Sequence, residues 1–149
     1  MGALDSIFGR RGPISIRFGG FTQTLFSMIN FSKETRKIAS KTFNKALLIL
    51  RKEIRNETPR RTGNLRRSVK ILKNIKRKSD FEGIVGPDGS AVNSSGVSYA
   101  PFVIFGTRNN KRNNFLARGE KNSRRDIRVI FKNMKSDLRS VIRKVKSKG

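Results

Sequence analysis

The sequence predicts an α+β domain: a small antiparallel sheet, made of a hairpin plus an N-terminal strand, packed against a long central helix and a C-terminal helix. Three observations carry this. Apolar residues recur at steps of three and four within residues 33–57 and again within 127–145, the spacing of helices with one buried face. Between them lies a strand pattern at Val69–Ile75, with a partner at Phe81–Val85. The break between helix and strand falls at Thr58-Pro59.

Residues 1–13, with glycines at 2, 9 and 12 and the pair Arg10-Arg11, read as a flexible N-terminal arm, leaving 14–149 as one domain. Ile14–Phe18 alternates apolar and polar residues, a half-buried strand that Gly19-Gly20 ends. Phe21–Phe31 places Phe21, Leu25, Met28 and Ile29 at helical spacing, which suits a short helix. Ser32 then caps the long helix over Lys33–Glu57, with Glu34 in its first turn complementing the macrodipole. Ala39, Phe43, Leu47, Leu50 and Ile54 form its apolar stripe.

The corner Thr58–Val69, TPRRTGNLRRSV, organises the rest. A residue before proline is pushed out of the α region, so the helix ends by Glu57. Thr62 can accept from the amides of a new turn, and Gly63 tolerates a backbone that other residues resist. A short turn over Gly63–Arg67 swings Leu65 inward and delivers Val69-Lys70-Ile71 as a strand. Val69, Ile71 and Ile75 are expected on one face, with Lys73 the exception. Arg77-Lys78-Ser79-Asp80 makes the hairpin turn.

Exposed loops are expected at 86–97 and 107–118. Tyr99–Phe105, closed by Gly106-Thr107, fits a strand and a short buried helix equally well. Arg108–Asn114, RNNKRNN, is wholly polar and reads as an exposed mobile loop. The last helix carries Ile127, Phe131, Met134, Leu138, Val141 and Val145 at helical steps, and Ser123 with Asp126 resembles its capping box. Its other face holds Arg124, Arg128, Lys132, Lys135, Arg139, Arg143 and Lys144.

Composition bounds the function. The chain has 149 residues, enough for one domain, and 35% hydrophobic content, which implies a modest core. With 35 Lys and Arg against 10 Asp and Glu, the formal charge is +25, which favours an anionic partner or acidic neighbours. There is no His and no Cys, so the usual general base, thiol nucleophile and zinc ligands are missing. The carboxylates show no paired catalytic spacing, and Asp88-Gly89-Ser90 reads as a turn rather than a cation site. No catalytic, cofactor-binding or metal site is expected, and the chain is read as no enzyme. The longest aliphatic run, Ala46–Leu50, is far short of the roughly 20 residues a bilayer span requires. Arg60, Arg61, Arg66 and Arg67 cluster at the corner, and Arg108, Lys111 and Arg112 lie in the polar loop. These are candidate contacts to DNA or to neighbouring subunits. The eleven Phe sit mostly in apolar patterns, with one Tyr and no Trp, so phosphate contact suits the chain better than base stacking.

Pro59-Arg60-Arg61-Thr62-Gly63-Asn64-Leu65-Arg66-Arg67-Ser68-Val69 after an apolar-striped helix, then a hairpin, then Tyr99-Ala100-Pro101-Phe102-Val103-Ile104-Phe105-Gly106-Thr107, then Phe115-Leu116 and a terminal helix, resembles the gene-product-ten family of tailed bacteriophages. The motif positions are Pro59, Thr62, Gly63, Leu65, Ser68, Tyr99, Ala100, Gly106 and Thr107. Family members often carry an acidic residue where Ile104 stands and a proline where Asn114 stands. The resemblance implies a structural virion protein that forms a ring in the neck, completes the tail and joins it to the DNA-filled head. Its partners would be copies of itself, neighbouring neck and tail proteins, and the DNA backbone in the conduit. It would be found in the virion, and in the host cytoplasm during assembly. The composition also admits a basic packaging protein that coats duplex DNA through phosphate contacts, and a membrane-surface protein using its basic C-terminal helix.

Overall fold

The computed structural model describes residues 14–18, 28–29, 31–61, 63–76 and 81–147. The arm at 1–13, most of the expected helix at 21–31, Thr62 and the hairpin turn at 77–80 lie outside them. The elements are β1 (Ile14–Phe18), α1 (Lys33–Glu57), α2 (Asn64–Ser68), β2 (Val69–Lys76), β3 (Phe81–Pro87), α3 (Ala100–Phe105) and α4 (Phe115–Lys146). The fold is α+β, as expected, and its antiparallel sheet has the order β1-β3-β2.

Helix α1 starts where the cap was read. The Thr35 amide donates to Ser32 Oγ (3.2 Å) and the Ser32 amide donates to Thr35 Oγ1 (3.0 Å), so Thr35 closes the capping box. The whole stripe Ala39, Phe43, Leu47, Leu50 and Ile54 is buried. It faces β2 and β3 on one side and α4 on the other, so α1 is the element that sheet and terminal helix share. Gly83 of β3 lies so close to α1 that a Cβ there would sit 2.3 Å from Leu47 Cδ2. Phe43 and Phe81 pack with ring centroids 5.4 Å apart.

Strand β2 corrects one expectation. The register runs Ile71 to Val85 and then Lys73 to Ile84, so Leu72 is a bulge. An inserted residue inverts every later side chain. Val69 and Ile71 therefore share the α1-facing side with Val85, whereas Ile75 pairs with Glu82 on the opposite face. The Asn74 amide confirms the inversion by donating to Asn44 Oδ1 on α1 (3.0 Å). Lys73 lies with Ile75 and pairs with Glu82 (2.8 Å).

The terminal helix begins earlier than expected. Residues 115–118 belong to α4 rather than to a loop, and Phe115 and Leu116 are buried. Ser123 is inside the helix, where its hydroxyl donates to the Glu120 carbonyl (2.8 Å), so Ser123 and Asp126 are not a capping box. Met134 and Leu138 are buried; Ile127, Phe131 and Val141 are half-buried; Val145 is exposed. The outward flank carries Lys121, Arg125, Arg128, Lys132, Lys135, Arg139, Arg143 and Lys146, all exposed. At Gly119 the two helix backbones nearly touch, since a Cβ there would lie 2.5 Å from Ile54 Cα.

Candidate functional site

The corner is built by three local preferences. Thr58, in extended conformation at φ −70° and ψ 133°, ends α1, and its buried hydroxyl donates to the Ile54 carbonyl (2.7 Å). Gly63 then takes φ +73°, in the left-handed region where a side chain is disfavoured. From there α2 forms, Leu65 is buried, and the Ser68 hydroxyl donates to the Leu65 carbonyl (2.8 Å). The Asp88 amide donates to the Ser68 carbonyl (2.9 Å), which binds the corner to the end of β3.

The segment Tyr99–Phe105, open between strand and helix from its sequence, is helical from Ala100. It is also less buried than its apolar run suggested. Ala100 is buried, but Phe102 is 49% and Phe105 50% exposed. Gly106 ends it at φ +80°. A Cβ on Gly106 would approach Arg112 N at 2.9 Å and Asn110 O at 3.0 Å, so the loop backbone folds back onto this residue. Thr107 organises that loop: its amide donates to the Asn110 carbonyl (2.9 Å) and its Oγ1 accepts from the Asn110 amide (3.1 Å). The Asn113 amide donates to the Val103 carbonyl (3.0 Å). Arg108–Arg112 are exposed and Asn113 is half-buried, and the loop's backbone is bonded in place.

The loop expected at 86–97 is also shorter and more ordered. Gly86 and Pro87 belong to β3, Ala91 is buried, and Val92 bridges to Ser98. Asn93 Oδ1 accepts from the amides of Ser95 (3.0 Å) and Val97 (2.9 Å), the turn chemistry expected of asparagine. Asp88 makes a comparable turn, accepting from the Ser90 amide (2.9 Å) and pairing with Lys70. Bonds from Lys70 and Ser90 hold its carboxyl below the usual carboxylate range. That carboxylate is occupied in a turn, in keeping with its reading from sequence.

These segments enclose a pocket of about 870 Å³. The corner contributes Pro59, Arg61, Asn64 and Leu65; the small turn Val92, Asn93 and Ser94; α3 and the residue before it Tyr99, Phe102 and Val103; the polar loop Thr107, Asn110, Lys111 and Asn113. Of the motif residues, Pro59, Leu65, Tyr99 and Thr107 line it directly. Gly63, Ser68, Ala100 and Gly106 shape the backbone around it, and Thr62 lies outside the described residues. Residues from stretches some forty positions apart thus serve one recess. Val92, Asn93 and Asn110 were not singled out from sequence; the Asn-Ser-Ser-Gly turn signal at 93–96 was the available clue.

The basic candidates divide. Arg61 and Lys111 line the pocket, while Arg60, Arg67, Arg108 and Arg112 are exposed outside its lining. Arg66 belongs with Arg51 and Arg55 behind the corner, where Arg51 and Arg55 each donate through Nε to the Val69 carbonyl (3.3 and 3.1 Å). Burial, then the charges of Arg51 and Arg66, push the Arg55 guanidinium below its ordinary pKa. The pocket itself has an apolar floor of Leu65, Val103 and the aromatic rings, with amides and two cations around it. Among the described residues, none of those lining it is a carboxylate. Among the described residues, no group of acidic side chains is placed to hold a metal ion. The arrangement suits binding an apolar side chain with an anionic neighbour.

Among curated proteins and solved structures no match was found. The family HK97-gp10_like, described as "Bacteriophage HK97-gp10, putative tail-component", matches residues 23–106, more than half of the chain. That span holds α1, the corner, the hairpin and α3, and so most of the pocket. The chain belongs to the HK97 gp10-like family of phage tail components.

Proposed function

We propose that this chain is a structural subunit of a tailed-phage virion. It assembles as a ring in the neck, completes the head-facing end of the tail and joins it to the DNA-filled head. The observation that carries this reading is the family match over residues 23–106. The surface is consistent with it. The corner, α3 and the polar loop converge on a recess lined in part by the exposed Phe102, a shape that receives a protein segment rather than a reacting substrate. The chain acts through contacts with its own copies and with neighbouring neck and tail proteins, with no cofactor and no chemical step. The basic loop residues Arg108, Lys111 and Arg112, all exposed, are the contacts to neighbouring subunits or to the DNA path.

Host cells producing phage without this protein should accumulate DNA-filled heads and separate tails of normal length. Heads that never package DNA would favour the packaging alternative. Cryo-EM of whole particles, with this chain located, reads the position and the ring directly.

A further inference from the structure

The outward flank of α4 is a continuous line of cations. Beginning at Lys121, a Lys or Arg recurs after four, three, four, three, four, four and three residues, ending at Lys146. At 3.6 residues per turn these positions keep within a strip about 80° wide, and at 1.5 Å per residue the strip is about 38 Å long. All eight side chains are exposed, and among the described residues none has an ion pair or side-chain hydrogen bond. The acids of α4 lie elsewhere: Glu120 is paired with Arg124, and Asp126 and Asp137 fall on the far side of the helix from the strip. Like charges three and four apart oppose the helix that carries them, and without these eight the chain would still stand at +17, so solubility does not require them.

We infer that this face of α4 is a docking track for the phosphate backbone of duplex DNA. Duplex DNA carries about one negative charge per 1.7 Å of axis, so a strip about 38 Å long faces about 22 phosphates, enough to give each of its cations a partner. The strip holds no aromatic residue, which excludes base stacking as its mode of contact and leaves phosphate contact. It also holds no apolar residue, whereas the core of a protein interface is depleted in lysine and enriched in aromatics. Insertion of α4 into a lipid surface is opposed by the burial of Met134 and Leu138, which hold its apolar face against the domain. The strip lies beyond the family-matched residues 23–106, so family membership neither implies nor contradicts it.

The test uses the full chain and a fluorescent duplex of about two helical turns, with affinity followed by anisotropy between roughly 50 and 200 mM salt. K132Q/K135Q/R139Q removes three strip cations; K37Q/K41Q/K52Q removes three exposed cations of α1 as an equal-charge control. Each phosphate contact contributes about 0.9 to the slope of log affinity against log salt, so the strip variant should lose about 2.7 of that slope and the control little. The inference is overturned if the two variants lose equally, if the parent chain does not bind duplex, or if an acidic peptide binds the strip more tightly than duplex does. Circular dichroism melts verify folding, and K132Q alone, with an expected slope loss of about 0.9, replaces the triple variant if that one is unfolded. Failure here would leave the ring assignment standing, because particle localisation is read separately.

Discussion

Three glycines show how one missing side chain can serve different ends. Gly63 has open space around its would-be Cβ and a φ of +73°, so Gly63→Val is opposed by backbone strain alone. It should cost on the order of 1 kcal/mol or more, read as a lower urea midpoint; an unchanged midpoint would deny the left-handed backbone. Gly106 combines positive φ with a close backbone approach, which accounts for the Gly-Thr pair at the mouth of the polar loop. Gly119 is a contest of sign. Within a helix, Gly→Ala should stabilise by about 1 kcal/mol, but here the new methyl would meet the Ile54 backbone at 2.5 Å. Backbone cannot swing aside as a rotamer can, so Gly119→Ala should destabilise by about 1–3 kcal/mol in chemical denaturation. A gain in stability would mean that α1 and α4 can part without loss.

At the scale of elements, α1 carries the architecture and α4 is fastened to it. Ile54 and Gly119 set the approach, and Glu57 at the end of α1 accepts from Arg118 Nε (2.7 Å) and Asn122 Nδ2 (3.1 Å). Arg118 also donates to Asn113 Oδ1 (3.0 Å), so this junction positions the polar loop beside the pocket. The exposed ion pair is worth at most about 1 kcal/mol, and apolar burial must supply most of the fastening. Leu138, fully buried, should cost roughly 2–5 kcal/mol when truncated to Ala. Val145, in the same stripe but 43% exposed, should cost well under half of that. Equal costs in thermal or urea melts would mean that the terminal turns of α4 are packed as tightly as its middle.

On the scale of the whole molecule, the proposed ring subunit and a DNA-coating protein differ in what holds them in place. A neck subunit held by protein contacts gains most from apolar area and complementarity, with charge steering the encounter. A protein coating DNA through six to ten phosphates would lose about 10³ to 10⁵ in affinity between roughly 50 and 200 mM salt. Assembled particles should therefore retain this subunit through a salt rise that strips it from free duplex, and should keep it after nuclease treatment. Release by either treatment would make coating the better reading. Charge reversal at Arg108, Lys111 and Arg112, all exposed, should weaken neighbour contact without lowering the melting temperature.

Much of the fold was determined by the sequence alone, because it rests on interactions between near neighbours. The Ser32 cap, the α1 stripe, the break at Thr58-Pro59 and the glycine at the corner each act within a few residues, and all stand in the structure where the chain indicates them. The α3 segment could not be settled this way, since a short apolar run suits helix and strand alike. Only the tertiary structure decided the Leu72 bulge, because register is a property of two strands and not of one. It also decided where α4 begins: burial of Phe115, Leu116 and Gly119 against α1 extends the helix past the apparent cap at Ser123. The pocket was legible only as separate motif residues. Pro59, Leu65, Tyr99 and Thr107 become one site because chain crossings bring them together, and no local spacing encodes that.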